Sequence, residues 1–240
     1  MATLENTSKP TRKTPETSCS EAGVPTEDTA KRLLQHRKIL VNQDIDDSLI
    51  EKAVMQIELF NWEDDDREDS EVGYARTSNP ITVYINSDGG YCTSGLALIS
   101  AIEQSRTPVV TVAMGKAYSM GFMILIAGHV RLAYRHAELM YHQVSYGHFG
   151  DHTDSVRRSN KAEELLQRLE SIVKRRTRIP ARMLKQAREQ RLDLYMFPEE
   201  AMELGVLDGV YPQEIIAPRP PKRTSAAGKG GAKEAGDGDR

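Results

Sequence analysis

The chain is short of cysteine, of net charge and of long apolar runs, and each shortage removes a class of protein. Two cysteines in 240 residues, Cys19 and Cys92, make neither a disulfide framework nor a metal set, and they fit a reducing compartment. The 32 Lys and Arg nearly balance the 35 Asp and Glu, so the net charge of −3 gives no case for nucleic acid or an anionic membrane as the main partner. The apolar run Phe122 to Ala127 is far too short to cross a bilayer, and the first residues lack the apolar centre of a secretory signal. A soluble, cytoplasmic protein is the expectation. The length suits a single domain with ample core between polar ends.

Residues 1–29, rich in Ser, Thr, Pro, Lys and Glu, read as a disordered polar tail, and 214–240, rich in Pro, Gly, Ala and Lys, as a second. Between them, 30–213 reads as one domain. Ala30 to His36 suits a short helix and Lys38 to Val41 a strand. Asp46-Asp47-Ser48 opens an amphipathic helix through Phe60, with Ile50, Val54, Ile57 and Phe60 near helical spacing. Residues 61–79 carry Glu63, Asp64, Asp65, Asp66, Glu68, Asp69 and Glu71 without periodicity. They read as a solvated acidic inserted loop, with a divalent-cation site as the minor alternative.

From Ile81 the chain alternates. Strand Ile81 to Ile85 runs into Asn86-Ser87-Asp88-Gly89-Gly90, followed by helix Thr93 to Gln104 and strand Val109 to Met114. A helix over Phe122 to Gly128 and strands over Val130 to Tyr134 and Leu139 to Val144 come next. The alternation predicts an α/β fold with parallel pairing and active groups at the carboxyl ends of strands. A long amphipathic helix over Ser155 to Arg176 carries Leu165, Leu166, Leu169, Ile172 and Val173 at the required intervals. A helix after Pro180 to about Glu189, a short helix from Pro198 ended by Gly205, and a last strand over Val206 to Tyr211 complete the pattern.

Two glycine-framed corners lie at strand ends. In Gly115-Lys116-Ala117-Tyr118-Ser119-Met120-Gly121, Ser119 stands between a strand and an apolar helix, where its hydroxyl could act as a nucleophile or merely cap the helix. Gly89-Gly90 could bring a bare N–H up to an oxyanion or make a plain tight turn. A phosphate-binding loop lacks its Lys-Ser or Lys-Thr. Of six histidines, His142 closes a strand-like segment as Ser119 does, and could serve as its base or be structural. His148, Asp151, His152 and Asp154 invite a metal reading, but no second ligand cluster follows them. Asp193, between apolar residues, is the acid expected to be partly buried; it could orient a histidine or pair with Arg188 or Arg191.

Four ordered strings carry a family resemblance. Tyr84-Ile85-Asn86-Ser87-Asp88-Gly89-Gly90, Met114 to Gly121, Tyr141-His142-Gln143, and Asp193 followed by Pro198-Glu199-Glu200-Ala201 to Gly205-Val206-Leu207-Asp208 resemble the ClpP family, the proteolytic subunit of the ATP-dependent Clp protease. The likeness runs from about Leu33 to Tyr211. It implies a ClpP/crotonase-like fold of repeated β-β-α units with a protruding handle helix at Ser155 to Arg176. It implies a serine endopeptidase that cleaves unfolded polypeptides or peptides inside a ring-shaped chamber through an acyl-enzyme. Ser119 would be the nucleophile, His142 the general base and Asp193 the orienting acid, with backbone N–H groups of Gly90 and Met120 as the oxyanion hole.

The resemblance further implies a tetradecamer of two stacked heptameric rings, homo-oligomeric or mixed with a paralogue. Tyr146 to Asp154 would be the strand against which an extended substrate pairs. No cofactor or metal is implied. ATP would be used only by a partner AAA+ unfoldase, which the family docks at positions kept apolar here by Tyr84, Met114 and Tyr134. The family's usual Pro in the diglycine turn is Asp88, the Pro after its His-Gln is Val144, and the pore-lining N-terminal stretch is replaced by the polar tail. The other classes to weigh are a non-catalytic ring subunit, a crotonase-like acyl-CoA enzyme, and a membrane-associated signal-peptide peptidase relative, the last set back by the want of a membrane segment.

Overall fold

The computed structural model describes residues 27–143 and 152–211. Most of both expected tails lies outside the described residues, as do 144–151, which hold Val144, His148, Asp151 and most of the expected substrate strand. The end of that span, His152 to Asp154, is helical and belongs to the long helix that follows.

Helix α1 (Glu27–Gln35) begins at Glu27, inside the stretch expected as tail. The parallel sheet that follows runs β1-β2-β3-β4-β7, where β1 is Lys38–Val41, β2 Ile81–Ser87, β3 Val109–Tyr118, β4 Val130–Tyr134 and β7 Gly209–Tyr211. In β2 and β3 one face is almost wholly buried, through Ile81, Val83, Ile85 and Ser87 and through Val109, Thr111, Ala113 and Ala117, and the other face is mostly half-buried around Tyr84 and Val112. Helix α3 (Cys92–Gln104) makes the crossover between them. Two further strands leave this path: β5 (Glu138–Tyr141) pairs parallel with the end of β3, and β6 (Leu194–Met196) pairs antiparallel with β5. The branch starts at a bulge, because Ile85 faces Ala113 but Ser87 faces Ala117, so Asn86 alone opposes Met114, Gly115 and Lys116. Beyond the bulge β3 turns from β4 to β5.

Helix α4 (Met120–Ala127) has all eight residues buried, as its uniformly apolar sequence requires. Its C-terminal carbonyls are met by Arg176, whose Nε donates to Ile126 O at 2.8 Å and whose guanidinium donates to Ala127 O at 2.7 Å. Arg176 ends α5 (His152–Arg176), whose C-terminal half packs Leu166, Leu169, Ile172 and Val173 into the core. Helices α6 (Ala181–Gln190), introduced by Pro180, and α7 (Pro198–Glu203), followed by Gly205 at φ 63°, are the last helices among the described residues.

The acidic segment departs from its expectation. Helix α2 (Asp47–Ser70), capped by Asp46 accepting from Leu49 N at 2.8 Å, continues through most of 61–79, and a 3-10 turn follows at Arg76–Ser78. Four acids of the segment, Asp64, Asp65, Glu68 and Glu71, pair with arginines, some of them from distant parts of the chain. Asp64 is fully buried against Arg37, with Nη1 and Nη2 at 2.6 and 2.8 Å, and also accepts from the hydroxyls of Tyr74 and Thr107. Arg76 binds Asp65 and Glu68, and Arg106 reaches Asp65. Asn61 accepts from Arg106 N and Thr107 N at 2.9 and 3.0 Å.

Burial by itself would raise the Asp64 carboxyl, but hydrogen bonds from Arg37, Thr107 and Tyr74 outweigh it and hold the group below its ordinary 3.8. A carboxylate with a lowered folded value adds stability that is present above 3.8 and lost as pH falls through the folded value. Asp64→Asn leaves Arg37 buried and uncompensated and should cost about 3 to 5 kcal/mol in chemical denaturation at neutral pH. The gap between wild type and variant should close as the denaturation is repeated at successively lower pH below 3.8.

Candidate active site

Ser119 sits between β3 and α4 with φ 54° and ψ −116°, a conformation costly to any residue with a Cβ. Its side chain makes no cap hydrogen bond to α4, so the plain helix-cap alternative falls. Instead Oγ lies 2.7 Å from His142 Nε2. The backbone is fixed on both sides: Ser119 N–H donates to Met140 O at 2.9 Å, and Met123 N–H donates to Ser119 O at 3.2 Å. A strained serine presented at a strand-to-helix corner is the geometry of a nucleophile elbow.

Strand registers bring the partners in. Tyr118 pairs with Met140 across β3 and β5, so Ser119 falls at the next rung. Tyr141 pairs with Leu194 across β5 and β6, so the next rung sets His142 opposite Asp193. His142 Nδ1 and Asp193 Oδ1 are 3.8 Å apart, within ion-pair reach and beyond a hydrogen bond. Asp193 was expected to be partly buried, yet its side chain is 46% exposed, because it precedes an edge strand. Among the described residues the fully buried acid is Asp64. Arg188, the partner considered for Asp193, binds Glu163 instead, and Arg191 lies in the left-handed turn that ends α6.

The diglycine turn packs on the same corner. Gly89 has φ 114°, and a Cβ there would lie 2.7 Å from Ser119 Cβ. Gly90 has φ 150°, and a Cβ there would strike the Ile45 backbone, 2.6 Å from its nitrogen. Ile45 N–H donates to Gly89 O, and Ile45 O accepts from Tyr91 N–H, both at 2.8 Å, in a parallel bridge. Alternate residues of such a bridge point to opposite sides, which turns the Gly90 N–H away from Ile45. Met120 opens α4, where first-turn N–H groups have no intrahelical acceptor.

Cys92, Met120, Met123, Tyr141, Leu166 and Leu169 line an apolar hollow that reaches Ser119 and His142. Burial pushes the Cys92 thiol up, which keeps it protonated and unreactive beside the serine. Reading the sequence did not single out these walls. Met123 lies one helical turn beyond Ser119 and could have been found by that spacing, whereas Leu166 and Leu169 arrive from α5 with no local signal. Among the described residues no His, Cys, Asp and Glu side chains gather as a metal-ligand group, and no helix is long and apolar enough to cross a membrane.

Residues 21–214 match the family described as Clp protease. The chain belongs to the Clp protease family. A ClpP-type peptidase is therefore its general class, and the branched parallel sheet with flanking helices is the ClpP/crotonase-like fold. In this Clp protease family member the matched span holds Ser119, His142, Asp193 and the diglycine turn.

The strain at Ser119 is measurable by itself. Glycine adopts its φ and ψ freely, whereas alanine keeps the Cβ, so Ser119→Gly should be more stable than Ser119→Ala by about 1 to 2 kcal/mol in thermal or urea unfolding. Gly90→Ala, facing the Ile45 backbone, should destabilise by more than 2 kcal/mol, roughly.

Proposed function

We propose that this chain is an active serine endopeptidase of the Clp type. The observation that carries the reading is the 2.7 Å contact from His142 Nε2 to the Oγ of a serine held in a strained elbow. A helix cap or a structural histidine needs no such strain, and backbone strain of this kind persists where function requires it.

In this mechanism the Ser119 hydroxyl passes its proton to His142 Nε2 as Oγ attacks the scissile carbonyl carbon. The carbonyl oxygen becomes an oxyanion held by the N–H groups of Gly90 and Met120. The His142 imidazolium then gives the proton to the leaving amine, the C–N bond breaks, and an ester to Ser119 remains. Water, deprotonated by the same histidine, hydrolyses that ester and returns the serine. Asp193 orients His142 and offsets its charge. The apolar hollow beside Ser119 presents an apolar wall to the substrate next to the cleaved bond.

On this reading the substrate is unfolded polypeptide, and no cofactor takes part. Oligomeric rings and an unfoldase partner are usual for the family, and here the reading is two stacked heptameric rings with α5 as the handle between them. The stacked pair Tyr134 and Tyr211, backed by the buried Tyr84 and with Met114 beside them, supplies an aromatic surface suited to an unfoldase. The compartment proposed is the cytoplasm. The intact Ser119–His142 contact speaks against a non-catalytic ring subunit, and a crotonase-like acyl-CoA enzyme has no use for it.

Purified protein should turn over small fluorogenic peptides and label at Ser119 with a fluorophosphonate. Ser119→Ala should lower kcat by about 10⁴-fold or more and abolish labelling. Asp193→Asn should lower kcat by about 10²-fold, a smaller loss than for a buried, hydrogen-bonded acid. Wild type that neither labels nor cleaves, and behaves as Ser119→Ala does, would sink the reading.

A further inference from the structure

The two strands that converge on the active site are joined there by an ion pair. The Lys116 ammonium on β3 donates to the carboxylate of Asp88, just beyond the end of β2. Asp88 immediately precedes Gly89–Gly90, and Lys116 lies three residues before Ser119. The pair therefore spans the two halves of the site, the turn that presents the Gly90 N–H and the strand that presents the nucleophile.

The turn needs such a tie. Gly89 and Gly90, at φ 114° and 150°, have the freest backbones available. Their other tethers hold from one side: Ile45 binds through Gly89 O and Tyr91 N, and Ser87 Oγ accepts from Gly89 N at 3.1 Å while donating to Gln43 O at 2.6 Å. Ser87 itself is paired with Ala117 of that strand, but beyond it no hydrogen bond among the described residues joins Gly89 or Gly90 to the strand that carries Ser119. The Lys116 end is itself fixed at the bulge. Its N–H donates to Asn86 Oδ1 at 3.2 Å, and Asn86 Nδ2 donates to Asn42 Oδ1 at 2.6 Å.

We propose that Asp88 and Lys116 are positioning residues for acyl transfer, their ion pair setting the distance from the Gly90 N–H to Ser119 Oγ. The inference rests on the serine-peptidase reading. Magnitudes separate this role from a structural one. The side chains are 61% and 37% exposed, so the pair adds little to folding and is screened by salt. An oxyanion donor displaced by a fraction of an ångström costs rate steeply, because its contribution comes in the transition state.

The test compares Lys116→Met, Asp88→Asn and the charge swap Asp88→Lys with Lys116→Asp, all in the full chain. Each single variant should lower kcat on a fluorogenic peptide by about tenfold with KM within about twofold and the thermal midpoint unchanged. The swap should recover most of that loss, and added salt should slow wild type more than either single variant. Amide hydrogen exchange over Gly89–Tyr91 should quicken in both single variants. Single variants with wild-type kcat, or a swap no better than they are, would overturn the proposal. If wild type neither cleaves nor labels at Ser119, the peptidase reading fails on its own account. Exchange over Gly89–Tyr91 then decides separately whether the pair holds the turn, and unchanged exchange in Lys116→Met rejects it.

Discussion

Strand β3 does not stay paired with β4 to its end, and the geometry of the candidate site depends on that. It runs beside β4 through Val110 to Ala113, passes the bulge opposite Asn86, and runs beside β5 from Lys116 to Tyr118. Strand β5 thereby lies between the strand that leads to Ser119 and the strand that follows Asp193, with His142 at its own end. Three chain segments far apart in sequence present consecutive rungs at one sheet corner. Hydrogen-bond register fixes which residues those are, because a slip of one residue would turn every side chain to the other face.

The strain at Ser119 persists because the elements on either side outweigh it. A residue with a Cβ at φ 54° and ψ −116° costs about 1 to 3 kcal/mol. Against this stands α4, whose Phe122, Met123, Ile124, Leu125 and Ile126 are all buried and contribute about 1.5 to 3 kcal/mol each. The helix cannot move to relieve the serine without exposing them or losing the Arg176 contacts at its other end. Packing therefore holds the hydroxyl 2.7 Å from His142 before any substrate arrives. Preorganisation of this kind is what acyl transfer draws on.

Local pattern made most of the elements legible. β1, β4, α3 and the start of α2 fall where apolar periodicity and the Asp46 cap put them, since those signals act over a single turn or strand. The acidic stretch differs from its local pattern for the opposite reason. Its charges looked solvent-bound because the arginines that neutralise Asp64 and Asp65, Arg37 and Arg106, are 27 and 41 residues away in sequence. Asp193 was misjudged in the reverse sense. Its apolar neighbours suggest burial, but Leu192 precedes the edge strand β6 and is exposed, and Leu194 begins that strand and is only half-buried. At the site, Ser119, His142 and the diglycine turn were visible as glycine-framed or strand-end positions, while the hollow built with Leu166 and Leu169 of α5 was not.

The sequence by itself determined most of the strands and helices, though not β6 or the second half of α2, together with the two glycine-framed corners and the residue types able to carry acyl transfer. Each of these is written in neighbouring residues, through periodicity, capping and the conformational freedom of glycine. Only the tertiary structure decided that β3 changes partner at the Asn86 bulge, that the Ser119 hydroxyl turns to His142 and not to its own helix, and that Asp64 is buried while Asp193 faces solvent. Those outcomes depend on long-range register and on competition between burial and charge pairing, which no local stretch of chain contains.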